Sequence, residues 1–348
     1  MKSYLLIFIS LYLFSCSSHK GEKDFLAIPS IPIHGVTSGE EIMSSSTGIM
    51  TLIDSCFFIC EPNQSDVCLV LDEQTEKEIN KFGRYGGGPG EFSYPVIAGK
   101  SKDNDTLYIA NLPNKIILFI RKERGQYQFL EEKTINLKNM EFITDIHRVS
   151  NGYYIASTLS GGYDFFILID HNLHEVKRFG HHPVEGMTAE ANDFMRFQGR
   201  MTSYNNSFYF ATMFFGYIVR YDISDNGTVS LIWEKMVTPP ACNIYEANIG
   251  IKTHENRDGF YGLAANDKYL FATYSGILYA AADTDPFACV PNTLVVFSTS
   301  GELLGKYTVK NKSTKVCLSN DGKHLYLWNL LPEIAIERFN VEDILNAK

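Results

Sequence analysis

Past its first fifteen residues the chain has no apolar run long enough to cross a bilayer; it also has no Cys-x-x-Cys pair, little helical periodicity and no excess of positive charge. Each absence removes a class. A spanning helix needs about 20 apolar residues in a row, so no later segment crosses a membrane as a helix. A zinc site built on cysteines has lost its usual paired spacing. The formal net charge of −9 opposes nucleic-acid binding, which needs a basic face for phosphates. Apolar residues recur at helical spacing only in TAEANDFMRF (188–197) and the C-terminal VEDILNA, which excludes helical bundles. There is no Gly-x-Ser-x-Gly elbow, so an α/β-hydrolase triad is excluded.

What is present begins with MKSYLLIFISLYLFSCSS. Lys2, a short apolar core from Tyr4 to Phe14, and Ser15-Cys16 read as an export signal. The cysteine after a small residue resembles a bacterial lipobox, which implies cleavage before Cys16 and acylation of its thiol. The expected organisation is therefore a signal peptide at 1–15, an acylated cysteine and linker at 16–24, and one domain at 25–348. The expected location is the outer membrane, on its periplasmic side or at the cell surface. Six cysteines remain, Cys56, Cys60, Cys68, Cys242, Cys289 and Cys317. An oxidising compartment permits disulfides; Cys242 and Cys289, in proline-containing loops, are the expected staple, and the first three are small buried hydrophobes.

Tyrosine and phenylalanine are abundant, and they recur with a rhythm. An Asx/Gly turn followed by an aromatic or branched strand appears as DSCFFIC, DTLYIAN, NGYYIAS, NSFYFAT, DKYLFAT and GKHLYLW. Equivalent positions (Phe57, Leu107, Tyr153, Phe208, Tyr269, His324) lie 46 to 61 residues apart. Each copy has one strand-like run before it and two after. Four strands repeated six times at this period predict an all-β, six-bladed β-propeller. The sixth unit lacks a fourth strand, and FLAIPSIPI (25–33) has no partner. An N-terminal strand closing the last blade removes both loose ends, with its prolines confined to an outer edge.

The stretch KFGRYGGGPGEFSYP (81–95) is placed by the same count. It runs from the outer strand of blade 1 to the inner strand of blade 2. A phosphate-cradling loop needs Lys-Ser/Thr and a helix after the glycines; here EFSYP follows, so the glycines serve sharp bends. From here to residue 119 the sequence resembles the NHL repeat, through Phe82, Gly83, Gly88, Gly90, Phe92, Pro95, Tyr108, Asn114, Lys115, Ile116 and Phe119. Asn111 stands where that repeat usually has aspartate. With the lipobox, the chain is similar to six-bladed propeller lipoproteins of NHL- or TolB-like type. The resemblance implies a fold and an address rather than a reaction.

Blade geometry sorts the connections onto two faces. The turns between first and second strands are short and Asx-rich. The opposite face receives the glycine stretch and three long stretches, at 180–194, 236–259 and 274–292. Long connections are uncommon without a function, so this face is expected to bind. Phe194, Phe197, Tyr245, Tyr274 and Tyr279 are its expected walls. The expected ligand contacts are Arg84, Tyr85, Phe92, Tyr94, Asp145, His147 and Arg200. Asp145 and His147 alternate on one inner strand and both face the channel; as an acid–base pair they supply a second reading, a propeller hydrolase or lyase with a channel metal. His171, His174, His181 and His182 are split between two ends of a blade and cannot share one ion. No cofactor, metal or catalytic set is assigned. The expected partner is a small molecule, glycan or peptide, with the membrane reached through the lipid anchor; an envelope protein interface is the third reading.

Overall fold

The computed structural model describes residues 25–37, 42, 49–61, 65–101, 105–139, 142–158, 164–184, 198–245 and 248–347. The expectations for Cys16 and for residues 185–197 lie outside them. Six small antiparallel sheets stand in a ring. Their inner strands are Ile49–Ile53, Pro95–Lys100, Ile143–Arg148, Gly199–Tyr204, Phe260–Ala265 and Lys312–Leu318. Successive inner strands pack against one another, and the sixth packs against the first.

A propeller has no single central core. Its apolar side chains fill six seams, one between each pair of neighbouring blades. Successive residues of a strand therefore enter opposite seams. In blade 3, Tyr154 and Ala156 face blade 2 while Ile155 faces blade 4. Both faces are buried, so second strands such as CFFIC and TLYIAN read as nearly continuous apolar runs rather than alternations. The seam between blades 3 and 4 is aromatic: Phe166, Phe208, Phe210 and Tyr221 meet with ring centroids 4.9 to 5.9 Å apart.

Ring closure differs from expectation in register. The outer strand of blade 6, Ala335–Asn340, is covered by Val36–Thr37, and not by residues 25–33. Ile31–Pro32 instead lies parallel along the outer strand of blade 5, Leu303–Thr308, and residues 25–27 form a helical turn. The reason lies in the contacts at Gly35. Its amide donates to the buried Glu337 carboxylate (3.2 Å), which also accepts from Asn311 Nδ2 (3.1 Å) and Asn329 Nδ2 (3.0 Å). A Cβ at Gly35 would meet Glu337 Cγ at 2.6 Å, so only glycine brings the strand this close. The C-terminal helix Val341–Asn346 begins at Asn340, whose side chain caps the amides of Glu342 and Asp343.

All six described cysteines are free thiols. The pair brought together is Cys60 and Cys68, in register on neighbouring strands with sulfurs 3.0 Å apart. Cys242 and Cys289 are not bonded to each other; Cys289 is held beside Asp258 instead.

Candidate functional site

Inner strands all enter from the face of the blade-to-blade crossovers and leave through the tight turns. At the turn end, Lys100 pairs with Asp54 and with Asp105 (3.2 Å), which ties blade 1 to blade 2. The strands enclose a channel of about 640 Å3 that runs from Tyr94 at the crossover end to the tight turns at Asn266–Lys268 and Ser319–Gly322. Beside it lies a second cavity of about 370 Å3, lined by Pro113, Phe142, Gln198 and Met213. Tyr94, Thr144 and Arg200 border both.

Four inner strands are irregular, one at Ala98 and three towards the crossover end. One extra residue interrupts the pairing at Thr144, Tyr261 and Thr314. A bulge re-aims the side chains beside it, and those next to these bulges are Asp145 and Lys315, with Tyr261 itself in the channel wall. Asp145 and His147 are brought together as expected, with Nε2 3.6 Å from Oδ1. Burial alone raises the Asp145 carboxyl, but His147, Arg200 and the Ile146 amide (2.9 Å) outweigh it and hold it below the usual carboxylate range. Tyr261 donates to the buried Asp258 (2.8 Å). Burial raises the Asp258 carboxyl, opposed by hydrogen bonds from Cys289 and Tyr261. Lys315 is pushed down to about 7, first by burial and then by the Arg200 charge.

The long loops form a plate rather than free walls. The crossover after blade 4 carries a hairpin, Cys242–Tyr245 with Asn248–Ile251, whose Ile249 packs into the seam between blades 3 and 4. Asn256, fully buried, accepts from Ala241 N (3.1 Å) and donates to Phe214 O (2.7 Å). The amides of Asp258, Gly276, Tyr279 and Ala280 then lace the crossover to the insertion after residue 274. Lys312 Nζ donates to Phe287 O (2.6 Å) and fastens the insertion to blade 6.

On the other side, the glycine stretch closes on its own acid. Gly88 N donates to Glu91 Oε2 (2.9 Å), and Gly90 N to Glu132 (3.0 Å). Two of its amides are thus taken by carboxylates, and Gly86 N donates to Phe92 O (3.0 Å), in keeping with a structural bend. Asn111, with no exposed surface, accepts from Ser93 N (3.2 Å), Ser93 Oγ (2.9 Å) and Tyr94 N (3.1 Å) and donates to Glu91 O (3.2 Å). This amide fixes Tyr94 at the mouth.

Of the sequence-predicted contacts, Tyr94, Asp145, His147 and Arg200 share the channel. Arg84 and Tyr85 are exposed on the outer strand of blade 1, Arg84 facing Glu91 at 3.6 Å, and neither lines the channel or the cavity beside it. Phe92 is 2% exposed, packed in the seam between blades 1 and 2. Tyr274 is also a core residue, its hydroxyl 3.1 Å from Thr238 Oγ1, and Tyr279 stands against Phe214. Sequence reasoning missed Lys315 and Tyr261. A lysine inside the otherwise apolar inner strand TKVCLS was the available signal. Among the described residues, no three His, Cys, Asp or Glu side chains are grouped to hold a metal ion.

No described protein family matches the chain, and no curated protein matches it. Solved structures do. A member of the DUF4221 family from Bacteroides vulgatus is 11% identical, with 90% of this chain and 96% of that one covered and a TM-score of 0.57. A protein from Bacteroides fragilis described as exported is 10% identical over 86% of this chain and 83% of that one, with a TM-score of 0.52. At these identities the likeness shows the propeller fold alone.

Proposed function

We propose that the chain is a ligand-binding β-propeller of the cell envelope, acylated at Cys16 and held by its lipid at the outer membrane, on the periplasmic side or the cell surface. The ligand is a small molecule, glycan or peptide end seated at the channel mouth on the crossover face. One observation carries this reading. Bulges, a buried amide latch and a laced loop plate all converge on one end of the channel, where Tyr94, Asp145, His147 and Arg200 meet around the cavity. A cavity of this size suits a small molecule with a few placed polar groups. The opposite end carries short turns.

The test is a ligand screen on the full chain in detergent, followed by substitutions at each end. Tyr94→Ala or Arg200→Gln weakens binding by about 1 kcal/mol or more, whereas Asn205→Ala, in a tight turn outside the channel lining, leaves it unchanged. Loss from the turn variant with both mouth variants silent ends the reading. A second reading, a hydrolase or lyase, draws on the Asp145–His147 pair inside the cavity; product formation that disappears in Asp145→Asn would establish it.

A further inference from the structure

Resting on the channel mouth as the binding site, we infer that its ligand carries an oxyanion, a carboxylate or phosphate, held between Arg200 of blade 4 and Lys315 of blade 6. Arginine presents five N–H donors in a planar fork. Arg200 Nε is shut away from solvent with no acceptor, and among the described residues no carboxylate forms an ion pair or hydrogen bond with this guanidinium. Asp145 feels its charge, yet the carboxylate's contacts go to His147 and the Ile146 amide. The Lys315 ammonium likewise finds no acceptor among the described residues. Both side chains line the same cavity, and the Arg200 charge acts on Lys315.

Buried cations in proteins are normally paired. Arg200 and Lys315 face one space in which the nearby carboxylates, Asp145 and Glu61, act on them only through their charge, and an incoming oxyanion that bridges both cations offsets their desolvation and their repulsion. The bulge at Thr314 aims Lys315 into this space, and Arg200 enters it from a regular strand two blades away. Tyr261 lies on the blade between them, its hydroxyl already committed to Asp258, so it offers a ring rather than a competing acceptor. Asp145 and His147, on the next blade, suit the hydroxyl groups of the same ligand, and Tyr94 supplies a ring at the entrance. The pocket therefore has polarity: anion toward blades 4 to 6, hydroxyls toward blade 3.

Binding is linked to a proton. The groups facing Lys315 are Arg200, Cys317 and Glu61, with Tyr261 on the neighbouring strand. At pH 8 the amine is mostly neutral, and an oxyanion beside it restores the charge.

The experiment is isothermal titration calorimetry of the full chain in detergent at pH 8, with inorganic phosphate, succinate, glucuronate and neutral glucose as probes. Repeating it in two buffers of different ionisation enthalpy reads the proton count. The expected result is binding of at least one anion with uptake of about one proton, and none of glucose. Phosphate against the two carboxylates distinguishes the two oxyanions. Lys315→Met weakens the anion at least tenfold and abolishes proton uptake; Arg200→Gln weakens it at least tenfold, and Arg200→Lys, which keeps charge and fold, weakens it less. Thermal melting confirms that each variant is folded. Anion binding indifferent to both cations overturns the inference, as does glucose binding that Tyr94→Ala weakens; in that last case the site stands and its anion selectivity falls. No binding by any probe overturns the inference too, and a broad screen that finds no ligand sensitive to Tyr94→Ala removes the site itself.

Discussion

Asn111→Ala is the most direct test of how the crossover is held. The wild-type amide makes four hydrogen bonds, three accepted from Ser93 and Tyr94 and one donated to Glu91 O, and has no exposed surface. Each is worth about 1 kcal/mol net. Alanine removes all four and strands two backbone amides, so a loss of roughly 3–4 kcal/mol is expected, reduced if water enters the vacated space. For a domain of this size about 1 kcal/mol corresponds to roughly 2 °C. Thermal denaturation should fall by about 6–8 °C by that scaling. Hydrogen exchange should show the Ser93 and Tyr94 amides opening, with blade 4 unaffected. A melting temperature within about 1 °C of wild type, well below that expectation, would refute the latch.

Lys315→Met should raise stability near neutral pH. Between its folded value near 7 and the unfolded value of about 10, the unfolded chain holds the proton and the folded one does not. Stability from this group therefore rises with pH across that window, and the variant should lose the slope. Asp145 acts with the same sign in an acid window: its lowered carboxyl stabilises at neutral pH and loses that contribution as pH falls through the folded value, so Asp145→Asn should flatten the acid limb of a melting curve. Glu337→Ala removes the acceptor of Gly35, Asn311 and Asn329 and should cost about 3 kcal/mol, with exchange rising first at the amides of Ala335–Asn340. Cys16→Ala should release the chain from the membrane fraction; unchanged recovery and processing would remove the lipid anchor.

The blade count was legible because every second strand carries the same aromatic-rich run behind an Asx turn, and six copies admit few other architectures. Asp145 and His147 were legible for the same reason: simple alternation on an inner strand points both inward. The rest depended on departures from alternation. Bulges at Thr144, Tyr261 and Thr314 shift the facing of the residues after them, and nothing local in these residues announces them. Phe92 looked like a loop aromatic, yet its two-residue pairing with the outer strand of blade 1 turns its ring into a seam. The closing strand was placed a few residues early because apolar content pointed to 25–33, whereas the decisive contact is the clearance at Gly35.

The strap at 31–37 gives the ring a mechanical weak point. Gly35 and Glu337 are 302 residues apart, so bringing them together costs roughly 5 kcal/mol of chain entropy, against one two-residue ladder on each of two blades and the burial of Ile33 and Phe25. The strap occupies outer edges, where pairing is lost one rung at a time. A pull on the N-terminal end therefore loads these rungs in sequence, as a zipper is opened, while the interdigitated seams remain unstrained until the strap has gone. Blades 5 and 6 are the first to be loaded by such a pull, and Tyr261 and Lys315 of those same blades stand in the channel wall, so a loosened ring would change the channel first on that side.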